Sequence, residues 1–310
     1  MRVLVTGGAG FTGSALVRKL LEASPDVVVL DDLSTGHRRN IDDLPITFIE
    51  GSILNERQLT EAAEGTDSIV HLAAMGSVPL SIDDPAACNE INVTGTFRVL
   101  EAARAQHTRQ VIMASSSAVY GSNPALPKSE RDWVRPMTPY AVSKLAGEQY
   151  TLAYQDCYGL DALAFRFFNV YGPRQDQNHP YAAVIPVWTH ALLTGQPLLV
   201  NGDGSHTRDF IYVDSLAALL TDAVTRRVSH PEPINAAFGT ETSLNQLIAA
   251  LEAATGVSAE VSYREPRAGD VLKSLADNRV QQTLFPDVPA VGLEHGLAET
   301  VRWFRAALRG

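Results

Sequence analysis

The chain has 310 residues, 45% of them hydrophobic and 19% charged, and its formal net charge is −10. This length is enough for one large core or two joined domains, and the negative charge argues against a nucleic-acid partner. The two cysteines, Cys88 and Cys157, indicate a reducing, cytoplasmic compartment without a disulfide framework. The start MRVLVTGG leads into a predicted strand and no apolar run approaches ~18 residues, so we expect neither a signal peptide nor a membrane contact. The eight histidines lack metal-like spacing, and we predict no metal site.

Short apolar runs at regular intervals predict the strands of a buried sheet. They are residues 2–5, 27–30, 46–49, 68–72, 110–115 and 162–168. Helical patterns lie between most of these runs, including a long candidate over 84–106 with Asp84 as its cap and Pro85 in its first turn. Another predicted helix begins at Tyr140 and ends at Gly159. This alternation is typical of a parallel sheet covered by helices on both faces.

The pattern changes after residue 168. Residues 169–209 are rich in Gly, Pro and Asn with one helix near 183–194, and a capped helix from Asp214 and a last helix near 293–309 follow. We therefore expect an α/β fold with a doubly wound (Rossmann), mainly parallel sheet and a smaller C-terminal α/β substrate region. The two interleaved parts are 1–168 with about 208–230, and about 169–207 with 231–310.

Three glycines separate the first predicted strand from the first predicted helix. In the segment TGGAGFTG they are Gly7, Gly10 and Gly13. Glycines let the backbone turn tightly and approach a pyrophosphate, which then lies at the helix N-terminus. Asp31 ends the next strand, at the distance expected for a carboxylate that binds ribose hydroxyls and repels a 2′-phosphate. We therefore predict NAD as cofactor, although Arg38 and Arg39 have the charge to bind a 2′-phosphate.

The segment TPYAVSK places Tyr140 and Lys144 four residues apart, on one face of a predicted helix. A phenol titrates near ~10 and an adjacent ammonium favours the phenolate, so we expect a tyrosine that exchanges a proton near pH 7. The segment SSSAVYG at 115–121 follows the fifth strand and would supply a hydroxyl that orients the substrate oxygen. It belongs to the carboxyl edge of the sheet, where ligands bind.

Together these segments resemble the extended short-chain dehydrogenases/reductases, and within them the nucleotide-sugar 4-epimerases. The resemblance covers nearly the whole chain. It is carried by TGGAGFTG, DDLSTG, HLAA, INVTGT, SSSAVYG, PYAVSK, FRFFNVYGPRQDQN, YAAVIP, TRDFIYVD and RAGDVLKSLAD. It implies Tyr140 as the acid/base, Lys144 as a ligand of the nicotinamide ribose and Ser116 as the hydroxyl that contacts the sugar.

The resemblance also implies the remaining ligand contacts. For NAD these come from Gly7, Gly10, Phe11, Thr12, Gly13, Asp31, Asp32, Ser34, Thr35, Gly36, Ser52, Ile53, Leu72, Ala73, Ala74, Asn92, Ser115, Tyr140, Lys144, Phe167 and Val170. For the UDP-sugar they come from Ser116, Ser117, Tyr140, Asn169, Ala183, Val184, Arg208, Arg267, Asp270 and Ser274. Two positions depart from the family pattern: Ser52 replaces an aspartate that often contacts adenine, and Thr12 replaces the usual aliphatic residue.

The implied reaction inverts the C4 hydroxyl of a UDP-hexose through a transient 4-keto sugar. Ser117 and Ala118 stand where related 4,6-dehydratases carry an Asp–Glu pair, and Asp176 stands where uronate epimerases usually carry an arginine. These departures leave neutral sugars, namely glucose and galactose or their N-acetyl forms. Ser274 stands where a bulky side chain in the family excludes the N-acetyl group, so we expect that group to fit. The alternative is that the pocket width is set elsewhere, by Leu80 or Val184.

Other functions remain open. A nucleotide-sugar 4-ketoreductase would release its oxidised cofactor and prefer NADPH, and an epimerase of another nucleotide sugar, such as a UDP-uronate, is a further alternative. A non-enzymatic NAD-binding regulator is disfavoured because Tyr140 and Lys144 are both present. The predicted helices at 84–106 and 140–158 resemble those that pair across a two-fold axis in the family, so we expect a homodimer. Their small residues are Ala102, Ala103, Ala146 and Ala153.

Overall fold

The structure is a computed structural model that describes residues 1–23, 26–177, 182–265 and 272–309. The strands are β1 (Arg2–Thr6), β2 (Asp26–Asp31), β3 (Thr47–Glu50), β4 (Ser68–His71), β5 (Gln110–Ser116), β6 (Asp161–Phe167), β7 (Asn169–Tyr171), β8 (Leu198–Asn201), β9 (Thr207–Arg208), β10 (Phe210–Tyr212), β11 (Ile234–Ala236), β12 (Thr242–Ser243) and β13 (Val261–Arg264). The α-helices are α1 (Phe11–Glu22), α2 (Glu56–Ala63), α3 (Val78–Asp83), α4 (Pro85–Asn89), α5 (Gly95–Ala105), α6 (Pro139–Tyr158), α7 (Val184–Leu193), α8 (Val213–Thr225), α9 (Leu244–Thr255), α10 (Arg279–Leu284) and α11 (Leu293–Ala307).

One parallel sheet of seven strands forms the centre of the fold, in the order β3-β2-β1-β4-β5-β6-β11. The six predicted strands are all in this sheet, and each bound lies within one residue of the prediction. The seventh strand, β11, was not predicted, because a run of three residues is too short to show a hydrophobic period. The doubly wound fold is thus confirmed. Strand order reverses between β1 and β4, which creates a crevice at the carboxyl edge of the sheet.

Successive side chains of the central strands point to opposite faces and fill two cores. Val5 and Val29 belong to the core under α1 and α8. Leu4, Val28 and Ile69 belong to the core under α2 and α5. Because both faces are covered, the strands read as continuous apolar runs, and this made them recognisable in the sequence.

Two of the predictions about helices are confirmed by the structure, and two others are wrong. Asp84 caps α4 by accepting the N–H of Ala87 at 2.9 Å, and α6 ends at Gly159 with φ of 70°. The segment 84–106 is not one regular helix, however, because the π-helical turn Glu90–Thr94 joins α4 to α5. Asp214 is not a cap either: β10 runs directly into α8, so Asp214 already lies in the first turn of that helix.

The smaller region pairs short strands, β7 with β10, β9 with β12 and β8 with β13. Its core contains Trp188 of α7, Leu198 of β8, Leu247 of α9 and Leu297 of α11. Because β7 begins two residues after β6 ends, this region adjoins the carboxyl edge of the central sheet. Among the helices of the described ranges, none is both long and apolar enough to cross a membrane.

Candidate active site

The glycine loop is packed so closely that side chains would not fit. Gly7 has φ of 73°, and a Cβ atom on it would lie 2.7 Å from the backbone N of Ala73. A Cβ on Gly13 would lie 2.1 Å from the carbonyl O of Gly7. In the described part of the chain no side chain caps α1, whose N-cap is Gly10, so its first N–H groups point into the crevice. A helix N-terminus with closely approaching backbone suits a pyrophosphate, and these residues therefore fit the predicted dinucleotide.

Asp31 ends β2 beside this loop and shapes it. Its two carboxylate oxygens accept the N–H groups of Ala9 and Leu33, both at 2.8 Å. Burial raises the pKa of Asp31, while these backbone donors oppose the shift. Each carboxylate oxygen has a further lone pair, so the group retains acceptor capacity for a ribose hydroxyl.

Arg38 and Arg39, the two arginines with the charge to bind a 2′-phosphate, differ in their surroundings. The Nε of Arg38 donates to Asp42 at 2.7 Å, and its guanidinium lies 4.0 Å from the ring centre of Phe48. Arg39 is exposed and lines a cavity of about 400 Å³ together with Arg174. Arg38 is therefore already engaged by a carboxylate and an aromatic ring, which favours the prediction of NAD over NADP.

The structure brings Tyr140 and Lys144 together at the start of α6. Thr138 caps this helix, and the N–H of Tyr140 donates to the hydroxyl of Ser81 at 3.0 Å. The Nζ of Lys144 donates to the carbonyl O of Ala114 at 2.9 Å and lies 6.0 Å from the ring centre of Tyr140. Since Ala114 belongs to β5, this bond ties the pair to the carboxyl end of the central sheet.

The electrostatics of this pair differ from the prediction. Burial lowers the pKa of Lys144 to about 8. Burial also raises the pKa of Tyr140, and the hydrogen bond with Ser116 only opposes that rise. We predicted that Lys144 lowers the pKa of Tyr140 to near 7, and this is wrong for the protein without bound ligands. Removal of the phenol from water outweighs the favourable contacts and raises its pKa.

Ser116 and Ser115 have different partners although they are neighbours. The hydroxyl of Ser116 accepts the N–H of Ala118 at 3.1 Å, which begins the 3₁₀ turn Ser117–Tyr120, and it also contacts Tyr140. The hydroxyl of Ser115 instead donates to the buried Glu148 at 2.7 Å. The Ser115 hydroxyl therefore has no proton left to donate to a cofactor.

Glu148 lies one turn beyond Lys144 on α6 and forms a buried ion pair with Arg166 at 2.7 Å. Their side chains are 0% and 4% exposed, so each charge depends on the other. The sequence analysis did not single out this pair. Its signal was the spacing of Tyr140, Lys144 and Glu148 four residues apart, which puts all three on one helix face.

Asn92, predicted to contact the cofactor, uses its side chain to hold the site together. It lies in the π-helical turn, accepts the N–H of Met75 at 2.8 Å, and donates to the carbonyl of Met75 and the hydroxyl of Ser143. Ser143 in turn donates to the carbonyl of Tyr140 at 2.8 Å. The amide thus links the loop after β4 to α6.

His71 connects the same turn to β1. Thr96 donates its hydroxyl proton to the carbonyl of Asn92 at 2.6 Å, so it accepts the Nε2–H of His71 at 3.0 Å. The Nδ1 of His71 then accepts the hydroxyl of Thr6 at 2.8 Å. Burial lowers the pKa of His71 to about 3, which keeps the ring neutral. This histidine, one of the scattered eight, is a structural link between the glycine loop and the turn that carries Asn92.

The other predicted cofactor residues occupy the ends of neighbouring strands. Asp32, Ser34, Thr35 and Gly36 follow β2, Ser52 and Ile53 follow β3, Leu72, Ala73 and Ala74 follow β4, Phe167 ends β6 and Val170 lies in β7, while Phe11 and Thr12 begin α1. The Ser52 hydroxyl accepts the N–H of Leu54 at 3.3 Å and so forms the local turn.

Apart from Ser116, Ser117 and Tyr140, the predicted substrate residues belong to the smaller region. Asn169 begins β7 and donates its amide to the carbonyl of Asp209 at 3.1 Å. Arg208 lies in β9, and its guanidinium donates to the carbonyl of Thr207 at 2.8 Å. Ala183 and Val184 form the N-terminus of α7, and Ser274 is half-buried. Arg267 and Asp270 lie outside the described residues.

A cleft of about 770 Å³ is lined by residues that neighbour these positions in the sequence. Its lining includes His206, two residues before Arg208, and Lys273, next to Ser274, together with Tyr263. The sequence analysis assigned no role to either His206 or Tyr263. Tyr263 is exposed, and its ring shares the cleft with His206 and Lys273, whereas none of the described residues predicted to bind the substrate lines it.

A glycine cradle, a carboxylate at the end of β2 and a Tyr–Lys pair at the carboxyl edge define a dinucleotide-binding enzyme. The family model described as "NAD dependent epimerase/dehydratase family" matches residues 3–237. The chain is 40% identical to the UDP-glucose 4-epimerase of Mycolicibacterium smegmatis, over 98% of this chain and 99% of that relative. The chain therefore belongs to the NAD-dependent epimerase/dehydratase family, and NAD is confirmed as the cofactor.

Solved structures agree with this assignment. The UDP-N-acetylglucosamine 4-epimerase of Methanobrevibacter ruminantium, in complex with UDP-N-acetylmuramic acid, is similar with a TM-score of 0.93 and 36% identity, covering 99% of this chain and 98% of that chain. The UDP-glucose 4-epimerase of Thermotoga maritima with UDP-glucose is similar with a TM-score of 0.94 and 35% identity, covering 99% of this chain and all of that chain.

Proposed function

We propose that the protein is an NAD-dependent 4-epimerase of a UDP-hexose, acting on UDP-glucose and UDP-galactose, on their N-acetyl forms, or on both. The observation that carries this proposal is the meeting of Tyr140, Lys144 and Ser116 at the carboxyl end of β5. The relatives named above, which are epimerases of UDP-glucose and of UDP-N-acetylglucosamine, support the choice of nucleotide and sugar.

When bound, NAD supplies the acceptor and later the donor of the hydride at C4 of the sugar. Tyr140 removes the proton of the C4 hydroxyl during oxidation and returns a proton after the 4-keto sugar has turned in the site. Ser116, already bonded to Tyr140, orients the reacting oxygen. Because burial raises the pKa of Tyr140, proton transfer depends on this hydrogen bond and on the positive charge of Lys144 one helical turn away.

Two positions of the sequence favour a neutral sugar. The 3₁₀ turn after β5 carries Ser117 and Ala118, which offer no carboxylate for dehydration. Asp176, in the loop after β7, would repel a uronate carboxylate. These two features disfavour the dehydratase and uronate-epimerase reactions among the alternatives.

Purified protein assayed with UDP-galactose, with no cofactor added, tests the proposal. We expect conversion to UDP-glucose and about one NAD per chain in the denatured supernatant. Measuring the N-acetyl substrates in the same assay identifies the preferred sugar. A strict requirement for added NADPH, with oxidised cofactor released each turnover, would instead establish the 4-ketoreductase.

We also propose a homodimer that pairs through α4, α5 and α6. Phe97 and Tyr150 are 41% and 43% exposed and pack with ring centres 5.9 Å apart, and Val142 is 54% exposed. These apolar groups on two adjacent helices suit a second copy of the same surface. Ala103 does not belong to this surface, because it is fully buried in the monomer core. Sedimentation of Phe97→Glu should show a shift to monomers, and an unchanged dimer would reject this interface.

The division of the chain and its location are proposals as well. Residues 1–168 and about 208–230 would bind NAD, and about 169–207 and 231–310 would bind the nucleotide sugar. Ile234–Ala236 pairs with β6 in the central sheet. We therefore place the boundary predicted at about residue 230 after residue 236 instead. Both Cys88 and Cys157 are free thiols, which supports a reducing, cytoplasmic compartment.

A further inference from the structure

Asp209 joins β9 to β10 and is completely buried. Its carboxylate accepts the N–H of Phe238 at 3.2 Å, the N–H of Gly239 at 3.1 Å and the N–H of Ala276 at 3.1 Å. One side chain thus bonds to two segments that are distant in the sequence, the loop after β11 and the segment that contains Ser274.

The backbone of the same residue holds a third segment. The carbonyl of Asp209 accepts both the N–H and the side-chain Nδ2 of Asn169, each at 3.1 Å. Arg208 is the preceding residue in the chain, so its backbone position is set by the same contacts. Asn169, Arg208 and the segment of Ser274 therefore meet at Asp209.

The segment of Ser274 is fixed from its other side as well. The N–H of Lys128 donates to the carbonyl of Leu275 at 2.8 Å, and the N–H of Asp277 donates to the carbonyl of Lys128 at 2.9 Å. Ser274 thus lies at the end of a strip of chain held between the Lys128 backbone and the Asp209 carboxylate. Losing either support would free the strip to move.

A buried carboxylate is costly unless several donors satisfy it. Burial raises the pKa of Asp209 to about 6, and the N–H groups of Ala276, Gly239 and Phe238 oppose that rise. A carboxylate has two acceptor oxygens and no proton of its own at neutral pH, so it can accept from separate segments at once. An amide of the same size has one acceptor oxygen and places an NH₂ donor where the second oxygen was, so one of the two segments loses its acceptor.

We propose that Asp209 is a positioning residue that sets the affinity for the nucleotide sugar, by holding Asn169, Arg208 and the segment of Ser274 in one arrangement. This role rests on the proposed function, which places the UDP-sugar against those residues. Asp209 is buried behind them and acts through its neighbours rather than on the substrate.

The test is Asp209→Asn in the full-length, NAD-containing protein, with UDP binding measured by calorimetry. The amide directs an NH₂ group at a backbone N–H, so at least one bond is lost and two donors face each other. We expect the Kd for UDP and the KM for UDP-galactose to rise roughly tenfold or more. Bound NAD and kcat at saturating substrate should stay at the wild-type level, because Tyr140 and Lys144 are held by β5 and α6.

Asp277→Asn is the matched control. Asp277 lies in the same strip, but its carboxylate bonds to the neighbouring Arg279 at 2.9 Å and its side chain is 12% exposed. This variant should keep the wild-type Kd for UDP. A rise equal to that of Asp209→Asn would show that any change in the strip weakens binding and would overturn the proposal.

Asp209→Ser provides a second, smaller substitution that keeps one acceptor oxygen without the NH₂ group. Unchanged UDP affinity in a folded variant, or a fall in kcat with KM unchanged, would overturn the positioning role. So would failure of both variants to fold and retain NAD, since Asp209 would then be needed for folding alone. A wild-type protein that binds no UDP would overturn both the proposed function and this proposal. Any of these contradicting results in the variants, with normal UDP binding by the wild type, would overturn this proposal alone.

Discussion

The Nζ of Lys144 donates a hydrogen bond to the carbonyl O of Ala114 at 2.9 Å, and this bond joins α6 to the central strand β5. The bond determines where the ammonium lies relative to Tyr140 on the same helix and to Ser116 two residues further along β5. The three groups that carry the proposed proton transfer are thus positioned by the core of the fold rather than by a surface loop.

Tyr140→Phe should lose epimerase activity by a factor of ~10²–10⁴, because general acid–base assistance by the phenol is removed. The fold and the bound NAD should be retained, since the hydroxyl is not needed for the contact between the Tyr140 N–H and Ser81. Steady-state kinetics and the NAD content of the denatured protein check both parts. Turnover at the wild-type rate would reject the role of Tyr140.

Lys144→Met should alter the pH dependence of stability. Burial lowers the pKa of Lys144 from 10.5 to about 8, so between these values the unfolded chain binds more protons than the folded chain. The contribution of Lys144 to the free energy of unfolding therefore rises as the pH increases from about 8 to 10.5, by up to about 3 kcal/mol, and is flat below that window. Urea unfolding of wild type and variant at pH 7.5 and pH 10 measures the difference.

Lys19→Met is the control for this measurement, because the Lys19 side chain on α1 is 40% exposed. It should show the same pH dependence as the wild type. A wild-type protein whose stability relative to Lys144→Met does not increase over this pH range would contradict the burial of a titrating ammonium.

Stripped protein should bind NAD more tightly than NADP, because the Asp31 carboxylate at the end of β2 repels a 2′-phosphate. Asp31→Asn should narrow the preference by ~10-fold, or about 1.4 kcal/mol. Asp222→Asn, which removes a carboxylate paired with Arg226 on α8, should leave the preference unchanged. Equal binding of the two cofactors by the wild type would mean that Arg39 outweighs the carboxylate.

Ser274→Tyr should remove activity on UDP-N-acetylgalactosamine and spare activity on UDP-galactose, because a bulky side chain leaves room only for a hydroxyl at C2 of the sugar. The two substrates serve as mutual controls in one preparation. Equal loss on both, or a wild type without N-acetyl activity, would assign the pocket width to other residues such as Leu80 or Val184.

The central fold was predictable because its signals are local. Valine-rich strands buried on both faces read as apolar runs, and glycine at 7 and 13 marks the loop where a Cβ would clash. The spacing of Tyr140 and Lys144 likewise reveals one helix face. The glycine loop and the Tyr140–Lys144 pair could therefore be located from the sequence alone.

What remained hidden depends on distant contacts. The partners of Asp209 are 30 and 67 residues away in the sequence, so its role as a junction leaves no local pattern. The predicted direction of the Tyr140 pKa shift was also wrong. Burial depends on the whole fold, and its effect on the pKa outweighs that of an adjacent ammonium. The three-residue strand β11 was too short to recognise.

The most direct test of the account follows the hydrogen at C4 of the sugar. UDP-glucose carrying deuterium at C4 is incubated with the purified protein in ordinary water, and the UDP-galactose formed is analysed by mass spectrometry and NMR. The account predicts inverted product with the deuterium still at C4, because the hydride leaves and returns within one active site while only the hydroxyl proton passes to Tyr140. Loss of the deuterium to solvent, or no inverted product from any of the four UDP-hexoses, would contradict it.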